Sequence, residues 1–290
     1  MIPPSFDYHA PGTLPEALEL LTRHGEEAKV LSGGQSLLPL LKLRLASPGH
    51  IVDIGRIPGL DYIKEDGGFL KIGALVREAD LEASELVRSR YPILTDTAAV
   101  VADPLVRNLA TVAGNLAHGD PANDHPATML ALGAEVVATG PNGQRTIPLA
   151  SFFKSLFTTA LEPNEILTEI RIPVPPARSG GAYVKLERKV GDFATAGAAV
   201  FVVLGGSGAI ERAGIGLTNL GPTPIRAAAA EKQLAGKKPD AAAIAEAARL
   251  ASQATSPSAD RRGAVDYKKE MARLLTGRAL KKAVERAGGR

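Results

Sequence analysis

The sequence predicts an α+β protein built as two domains, and three observations carry that reading. The 290 residues are enough for two sizeable cores. Short apolar runs with the twofold period of strands alternate with stretches at helical period, so neither class dominates. One segment rich in proline and glycine, "PVPPARSGG" from Pro173 to Gly181, interrupts the pattern and sets a boundary between residues 1–176 and 177–290.

In order along the chain, Thr13 and Glu16 make a capping box and Pro15 sits in the first turn of a helix. Leu14, Ala17, Leu18 and Leu21 form its apolar stripe, and Gly25 ends it. Ala28 to Leu31 is a short buried strand running into a knot of small residues, Ser32-Gly33-Gly34-Gln35-Ser36. A short helix near Pro39 to Leu45 follows, then a strand in "HIVDIG". "LDYIKEDGGFLKIGALV" is a hairpin turning at Asp66-Gly67-Gly68. Helix is expected over Glu78 to Arg90 and from Ile93 to Val101. "AEVVATGPNGQRTIPL" is a second hairpin around Pro141-Asn142-Gly143, and the alternation of "ILTEIRIPV" ends at Pro173. Beyond the boundary come three strands, in "AYVKLER", "TAGAAVFVVLG" and "ERAGIGLTNLG". Helices over Ile225 to Leu234, Ala241 to Ala254 and Val265 to Ala287 complete a second domain of three-stranded sheet plus helices.

Composition excludes several classes of function. There is no cysteine, which removes disulfides, a thiol nucleophile, thiolate zinc sites and cysteine-held iron–sulfur clusters from these residues. No window is apolar enough for membrane insertion, and the first residues, "MIPPSFDYHAPG", lack a signal-peptide pattern, so a cytoplasmic location is expected. Much of the basic excess sits in the last thirty residues, where Tyr267 is the single aromatic. That pattern fits a solvated or partner-facing helix better than a nucleic-acid surface. The five histidines are scattered, with only His118 and His125 close in sequence.

Two stretches could carry chemistry. In the glycine knot, strand, Gly-Gly, polar residue, serine and apolar helix could form a phosphate cradle, since glycines let backbone N–H groups converge on an anion. A Walker A loop is excluded by the missing Lys-Ser/Thr pair, and the nearest approach to a Rossmann fingerprint, "GGSGAIE", has Glu211 where the last glycine belongs. Taken alone, the knot reads more simply as a plain turn. The second stretch, Ala102 to Ala134, reads as a long irregular loop whose Thr111, Asn115, Asp120, Asn123 and Asp124 suit sugar hydroxyls and phosphate oxygens. Those residues are also ordinary turn formers. A metal site at His118, Asp120, Asp124 and His125 has suitable residue types, but the intervening prolines and glycines break any regular ligand spacing. No G-x-S-x-G elbow supports a serine hydrolase.

The segments "SGGQSLLPLLKLRL", "DPLVRNLATVAGNLAHGDPANDHPA", "ILTEIRIPVP" and "KLERKVGDFATAGAAV" resemble, in this order, the FAD-binding medium subunits of molybdenum hydroxylases, carbon monoxide dehydrogenases most of all. The resemblance covers nearly the whole chain. It implies a PCMH-type (vanillyl-alcohol-oxidase-like) two-subdomain FAD-binding domain, followed by a small α+β domain of the carbon monoxide dehydrogenase flavoprotein type. It further implies that Leu31, Ser32, Gly33, Gly34, Gln35, Ser36 and Leu37 wrap the FAD pyrophosphate, mainly through main-chain N–H groups. Thr111, Ala113, Gly114 and Asn115 would lie in the second wall, with Ala102 lining the cofactor and Asp124 on its sugar or diphosphate region. Leu167 and Lys185 match positions near the adenine end, and Phe193 one over the isoalloxazine. As plain residues, Leu167 reads as core, Lys185 as surface and Phe193 as packing.

Three departures from the family pattern stand out. Ala113 replaces a glycine of the usual Thr-x-Gly-Gly-Asn, Gln35 stands where carbon monoxide dehydrogenases commonly carry His, and Phe193 where they carry Tyr. The resemblance implies non-covalent FAD here, with the molybdenum cofactor on a large partner and [2Fe-2S] clusters on a small one, in a dimer of heterotrimers. Electrons would pass from those clusters through FAD to an external acceptor, and the substrate would be carbon monoxide, an aldehyde or an N-heterocycle. No catalytic acid, base or metal ligand is then required of this chain. A free-standing flavin oxidase and a non-enzymatic assembly subunit are the competing readings.

Overall fold

Residues 2–288 are described in a computed structural model. The chain opens with β1 (Asp7–His9), α1 (Leu14–His24), β2 (Ala28–Leu31), α2 (Leu37–Lys42) and β3 (His50–Asp53). The three strands form a parallel sheet in the order β1-β3-β2. Ala17, Leu18 and Leu21 of α1 are buried in one core with Val52 and Ile54, so the amphipathic stripe read from the sequence fastens the helix to this sheet. Thr13 caps Glu16 N–H at 3.4 Å, but the Glu16 carboxylate takes the Gly12 N–H at 2.9 Å, one residue before the reciprocal partner of a capping box. Gly25 ends the helix with φ of 54°. The helix expected near Pro39 begins two residues earlier, at Leu37.

Next come β4 (Ile63–Asp66), β5 (Phe69–Gly73), α3 (Glu78–Ala83), α4 (Glu85–Arg90) and α5 (Pro92–Ala98). The single helix expected over residues 78–90 is broken at Ser84, whose extended backbone lets its hydroxyl cap Val87 N–H. The stretch read as a loop holds three helices: α6 (Pro104–Arg107), α7 (Val112–Ala117) and α8 (His125–Leu132). Periodicity could not show them. All eight residues of α8 are buried, which erases the polar face, and the other two are a turn or so long. β6 (Glu135–Gly140), β7 (Gly143–Pro148), β8 (Phe153–Ser155), β9 (Thr158–Thr159) and β10 (Ile166–Pro173) follow. A five-stranded antiparallel sheet has the order β4-β5-β10-β6-β7, and it makes the second subdomain.

The remainder comprises β11 (Ser179–Glu187), β12 (Ala194–Leu204), β13 (Ile210–Thr218), β14 (Ile225–Arg226), α9 (Ala228–Leu234), α10 (Ala241–Gln253) and α11 (Val265–Ala287). The sheet has four strands, not the three expected, because Ile225 and Arg226 pair with Leu217 and Gly216 before the helix begins. β12 is buried along its whole length and is shared between two cores. Ala199, Phe201 and Val203 join the core of the first domain, while Ala198, Val200 and Val202 join that of the second. Backbone contact makes this junction tight: a Cβ at Gly214 or Gly216 would lie 1.9 Å from the carbonyl oxygens of Ala131 and Ala127 on α8. Part of the basic C-terminal helix, expected to be solvated or to face a partner, is paired within the chain. Lys282 and Arg286 grip Asp96 of α5 at 3.0 and 2.6 Å, and Lys268 is buried against Asp260 at 2.8 Å. Among the described residues no helix is long and apolar enough to cross a membrane.

Candidate functional site

β2 delivers the glycine knot to the N-terminus of α7, and the two candidate stretches meet there. Gly33 faces the backbone of Leu109 and Ala110, where a Cβ would lie 2.1 Å from the Leu109 carbonyl oxygen. Ser32 Oγ lies 3.0 Å from Thr111 Oγ1. Thr111 in turn caps α7 by accepting the Gly114 N–H at 3.2 Å, and a Cβ on Gly114 would crowd that hydroxyl at 2.7 Å. Gly34 has φ of 74°, the left-handed conformation that glycine tolerates, and Leu31 and Leu38 close around it. Ser36 and Leu37 begin α2. Among the described residues the N–H groups of Gly33, Gly34, Gln35 and Ser36 donate to no protein acceptor, which leaves a row of donors for an anion. Gln35 folds back on its own loop, its Nε2 donating to the Gly33 carbonyl at 3.1 Å. Ala113 is buried inside α7 and has no positive φ, so the backbone there does not require glycine.

From α7 the contacts run on to the C-terminal domain. Asn115 accepts the Asn123 side-chain amide on its carbonyl at 2.8 Å, while its own side-chain oxygen is buried with no partner among the described residues. Asp124, next to Asn123, is buried and bridges the domains: Tyr183 donates to Oδ1 at 2.5 Å and Lys185 to Oδ2 at 3.0 Å. Lys185 also donates to the Val100 carbonyl at 2.8 Å. The surface role that residue type suggested for Lys185 is therefore wrong, its side chain being 2% exposed. Burial pushes the Asp124 carboxyl above its usual range, against the opposite pull of Lys185 and Tyr183. Burial and the Asp124 charge also raise the Tyr183 hydroxyl well above its usual range.

Ala102 carries φ of 47°, an uncommon conformation for a residue with a side chain. It is held between Arg107, which donates to the Val101 carbonyl at 3.1 Å and pairs with Glu82 at 3.0 Å, and Gly191, whose Cβ position lies 3.0 Å from the Ala102 oxygen. Phe193 is two residues beyond that contact, half exposed, with the Arg262 guanidinium 6.0 Å from its ring centre. Leu167 is buried in β10, beside a register shift between Leu167 and Glu169.

Fifteen of the sixteen predicted residues thus lie on one run of contacts or directly beside it, from the glycine knot through α7 to Lys185 and the Ala102–Gly191 contact. Leu167 belongs to the sheet beneath. The four residues weighed as a metal site face different partners. His125 meets Glu78 at 2.7 Å, both fully buried, and the His118 ring packs against Phe157. Asp120 accepts the Ala122 N–H, and Asp124 is occupied as described. Sequence reasoning missed Tyr183, Arg107 and Gly191. The signal for Tyr183 was present, since strand alternation puts it on the same face as Lys185. Scattered in sequence, His9, His24 and His50 are gathered by the fold into one cluster.

The donors and the shape fit a dinucleotide: exposed N–H groups and side-chain-free glycines for a diphosphate, and an orphaned buried amide oxygen for a ribose or ribityl hydroxyl. Comparison with known proteins agrees. Residues 4–175 match the family described as the FAD-binding domain in molybdopterin dehydrogenase, and residues 181–283 match the CO dehydrogenase flavoprotein C-terminal domain. The carbon monoxide dehydrogenase medium chain of Hydrogenophaga pseudoflava is 46% identical, over 98% of each chain. The 6-hydroxypseudooxynicotine dehydrogenase complex subunit alpha of Paenarthrobacter nicotinovorans is 40% identical, over 99% of this chain and 97% of its own. A solved carbon monoxide dehydrogenase structure from Hydrogenophaga pseudoflava superposes with a TM-score of 0.96 at 48% identity, covering 99% of both chains. With both domains matched and the cradle formed, the chain belongs to the family of FAD-binding medium subunits of molybdenum hydroxylases.

Proposed function

We infer that this chain is the electron-transferring flavin subunit of a heterotrimeric molybdenum hydroxylase, working in the cytoplasm. The meeting of Ser32 and Gly33 with Leu109 to Thr111 supports this most directly, because it builds one anion-binding cradle from two distant segments. In this reading residues Leu31 to Leu37 hold the diphosphate by backbone N–H groups, and Thr111, Ala113, Gly114 and Asn115 form the facing wall. Asp124 and Lys185, locked together, set the position of the second domain beside the cradle, with Leu167 in the floor and Ala102 and Phe193 bordering the ring system. Residues 1–176 then carry the cofactor and residues 177–290 cover it.

Bound there without a covalent link, FAD supplies a redox centre able to exchange electrons singly or in pairs. The chain's own part is to bind it, orient it and limit the access of water. With no cysteine among these residues, thiolate-held [2Fe-2S] clusters belong to a small partner and the molybdenum cofactor to a large one, in a dimer of heterotrimers. The external acceptor is a quinone, a nicotinamide or oxygen. The substrate oxidised on the large partner is carbon monoxide, an aldehyde or an N-heterocycle; the similarity to carbon monoxide dehydrogenase medium chains favours the first.

The test is purification of the chain from its native host. The expected result is a complex containing molybdenum, iron and one FAD per copy of this chain, with substrate bleaching the flavin only in the complex. A flavoprotein isolated alone whose flavin is bleached directly by an organic substrate would contradict it.

A further inference from the structure

Three of the five histidines converge at the edge of the first subdomain, well away from the glycine knot. His50 opens β3 and pairs in register with Asp7 of β1 and Ala28 of β2, whereas the knot follows the opposite end of β2, after Leu31. Asp7 and His50 lie side by side in a parallel pair, and His9 lies two residues on, so all three point to one face of the sheet. Val52, on that same face, is buried against α1, and His24 is the last residue of that helix. Each of the three imidazoles is thus presented by a different element: strand end, helix end and strand start.

Their ring nitrogens come close together. One ring nitrogen from each lies within 4.8 Å of the other two. His9 Nε2 and His50 Nδ1 are 3.2 Å apart, and the His24 ring lies over that of His50 with centroids 3.6 Å apart. At zinc–nitrogen bonds of about 2.0–2.1 Å, tetrahedral ligands sit roughly 3.3–3.4 Å from one another, so the first pair already has the required spacing. The His24 ring is stacked on that of His50, with 26° between their planes, so metal binding requires it to rotate about its side-chain bonds. A carboxylate oxygen of Asp7 is 3.7 Å from His50 Nδ1, at the border of the cluster, and adds negative charge beside it. Among the described residues, the histidine ring nitrogens have no hydrogen-bond partner besides one another. Three imidazoles around one point, short of other partners, suit a borderline-soft divalent ion of the zinc, nickel, cobalt or copper class.

We propose that His9, His24 and His50 bind one divalent transition-metal ion that clasps β1, the end of α1 and the start of β3. Three imidazoles leave the remaining position to water, and the ion's part in this proposal is to tie three separate elements together. The clasp would fix the sheet whose other end carries the flavin cradle, and it does not depend on how electrons enter or leave the subunit.

The test uses the full-length chain without an affinity tag, stripped with chelator and loaded with FAD, and zinc itself as the probe. Titration against a chromophoric chelator should show one Zn²⁺ per chain at submicromolar affinity. His9→Gln and His50→Gln should each weaken it by more than about tenfold while FAD content and the flavin spectrum stay unchanged. Zinc should raise the thermal midpoint of the parent chain but not that of the double variant. Failure to bind zinc stoichiometrically, or equal binding by the double variant, overturns the proposal. If a variant loses FAD, and so is misfolded, Co²⁺ added to the parent chain decides. One equivalent should give the intense visible bands of a tetrahedral site, and a weak spectrum of hydrated cobalt overturns it.

Discussion

Ser32 Oγ and Thr111 Oγ1 lie 3.0 Å apart although 79 residues separate them in sequence. That contact joins the loop after β2 to the first turn of α7 and gives the cradle its two sides. Thr111→Val removes both the bridge and the cap on Gly114 N–H. It should cost about 1 kcal/mol of stability and weaken FAD binding, while Thr111→Ser should recover both. Equilibrium denaturation and flavin titration of the two variants check this.

The Asp124–Lys185 pair is buried, with side-chain exposures of 7% and 2%. Lys185→Met strands the Asp124 carboxylate in a dry site and should destabilise by about 3–5 kcal/mol, whereas Asp124→Asn leaves Lys185 beside Glu187 at 3.3 Å and should cost less. The double variant should lose clearly less than the sum, and a double-mutant cycle in urea measures the difference. Strictly additive losses would mean that the two side chains do not act as a pair.

Asp96 takes both Lys282 and Arg286, tying α5 to the C-terminal helix across the domain junction. The cluster is partly open to solvent, so Asp96→Asn should cost only about 1–2 kcal/mol. Its sign in salt is informative: the parent chain should weaken on going from low to high ionic strength, and the variant should respond less.

His118 is held below its ordinary value of 6.5, mainly because burial disfavours the imidazolium, with Asp120 opposing. A group depressed in the folded state binds protons more readily when unfolded. Its contribution is therefore intact above about pH 6.5 and lost as pH falls through the folded value. The thermal midpoint of the parent chain should drop between pH 7.5 and 5.5, and that of His118→Gln should drop less. Equal drops would remove His118 from the account.

The sequence made the outer elements legible because their patterns are local. Thr13, Gly25 and the Leu14–Leu21 stripe mark α1, and the paired positive-φ glycines Gly67 and Gly68 mark the first hairpin. Helix α8 was hidden because a helix buried all round carries no polar face. The short strand β14 was hidden because two residues pairing at a sheet edge have no period of their own. At the site, the glycines and short polar residues were visible as a composition, and family resemblance supplied their partnership. What could not be read was which charges neutralise each other: Lys185 looked like a surface residue until Asp124 and the Val100 carbonyl were seen to enclose it. The histidine cluster is the clearest case, since His9, His24 and His50 become neighbours only through the parallel pairing of β1 with β3 and the packing of α1 upon them.

Gly33 offers the most direct test of the central claim that two distant segments form one FAD cradle. Gly33→Val would drive a side chain into the Leu109 carbonyl, whereas Gly206→Ala adds a methyl group where nothing lies within 4 Å. FAD per chain, read from flavin absorbance of the purified proteins, should fall close to zero in the first variant with an unchanged circular dichroism spectrum, and stay at one in the second. Full FAD loading of a folded Gly33→Val protein would contradict the claim.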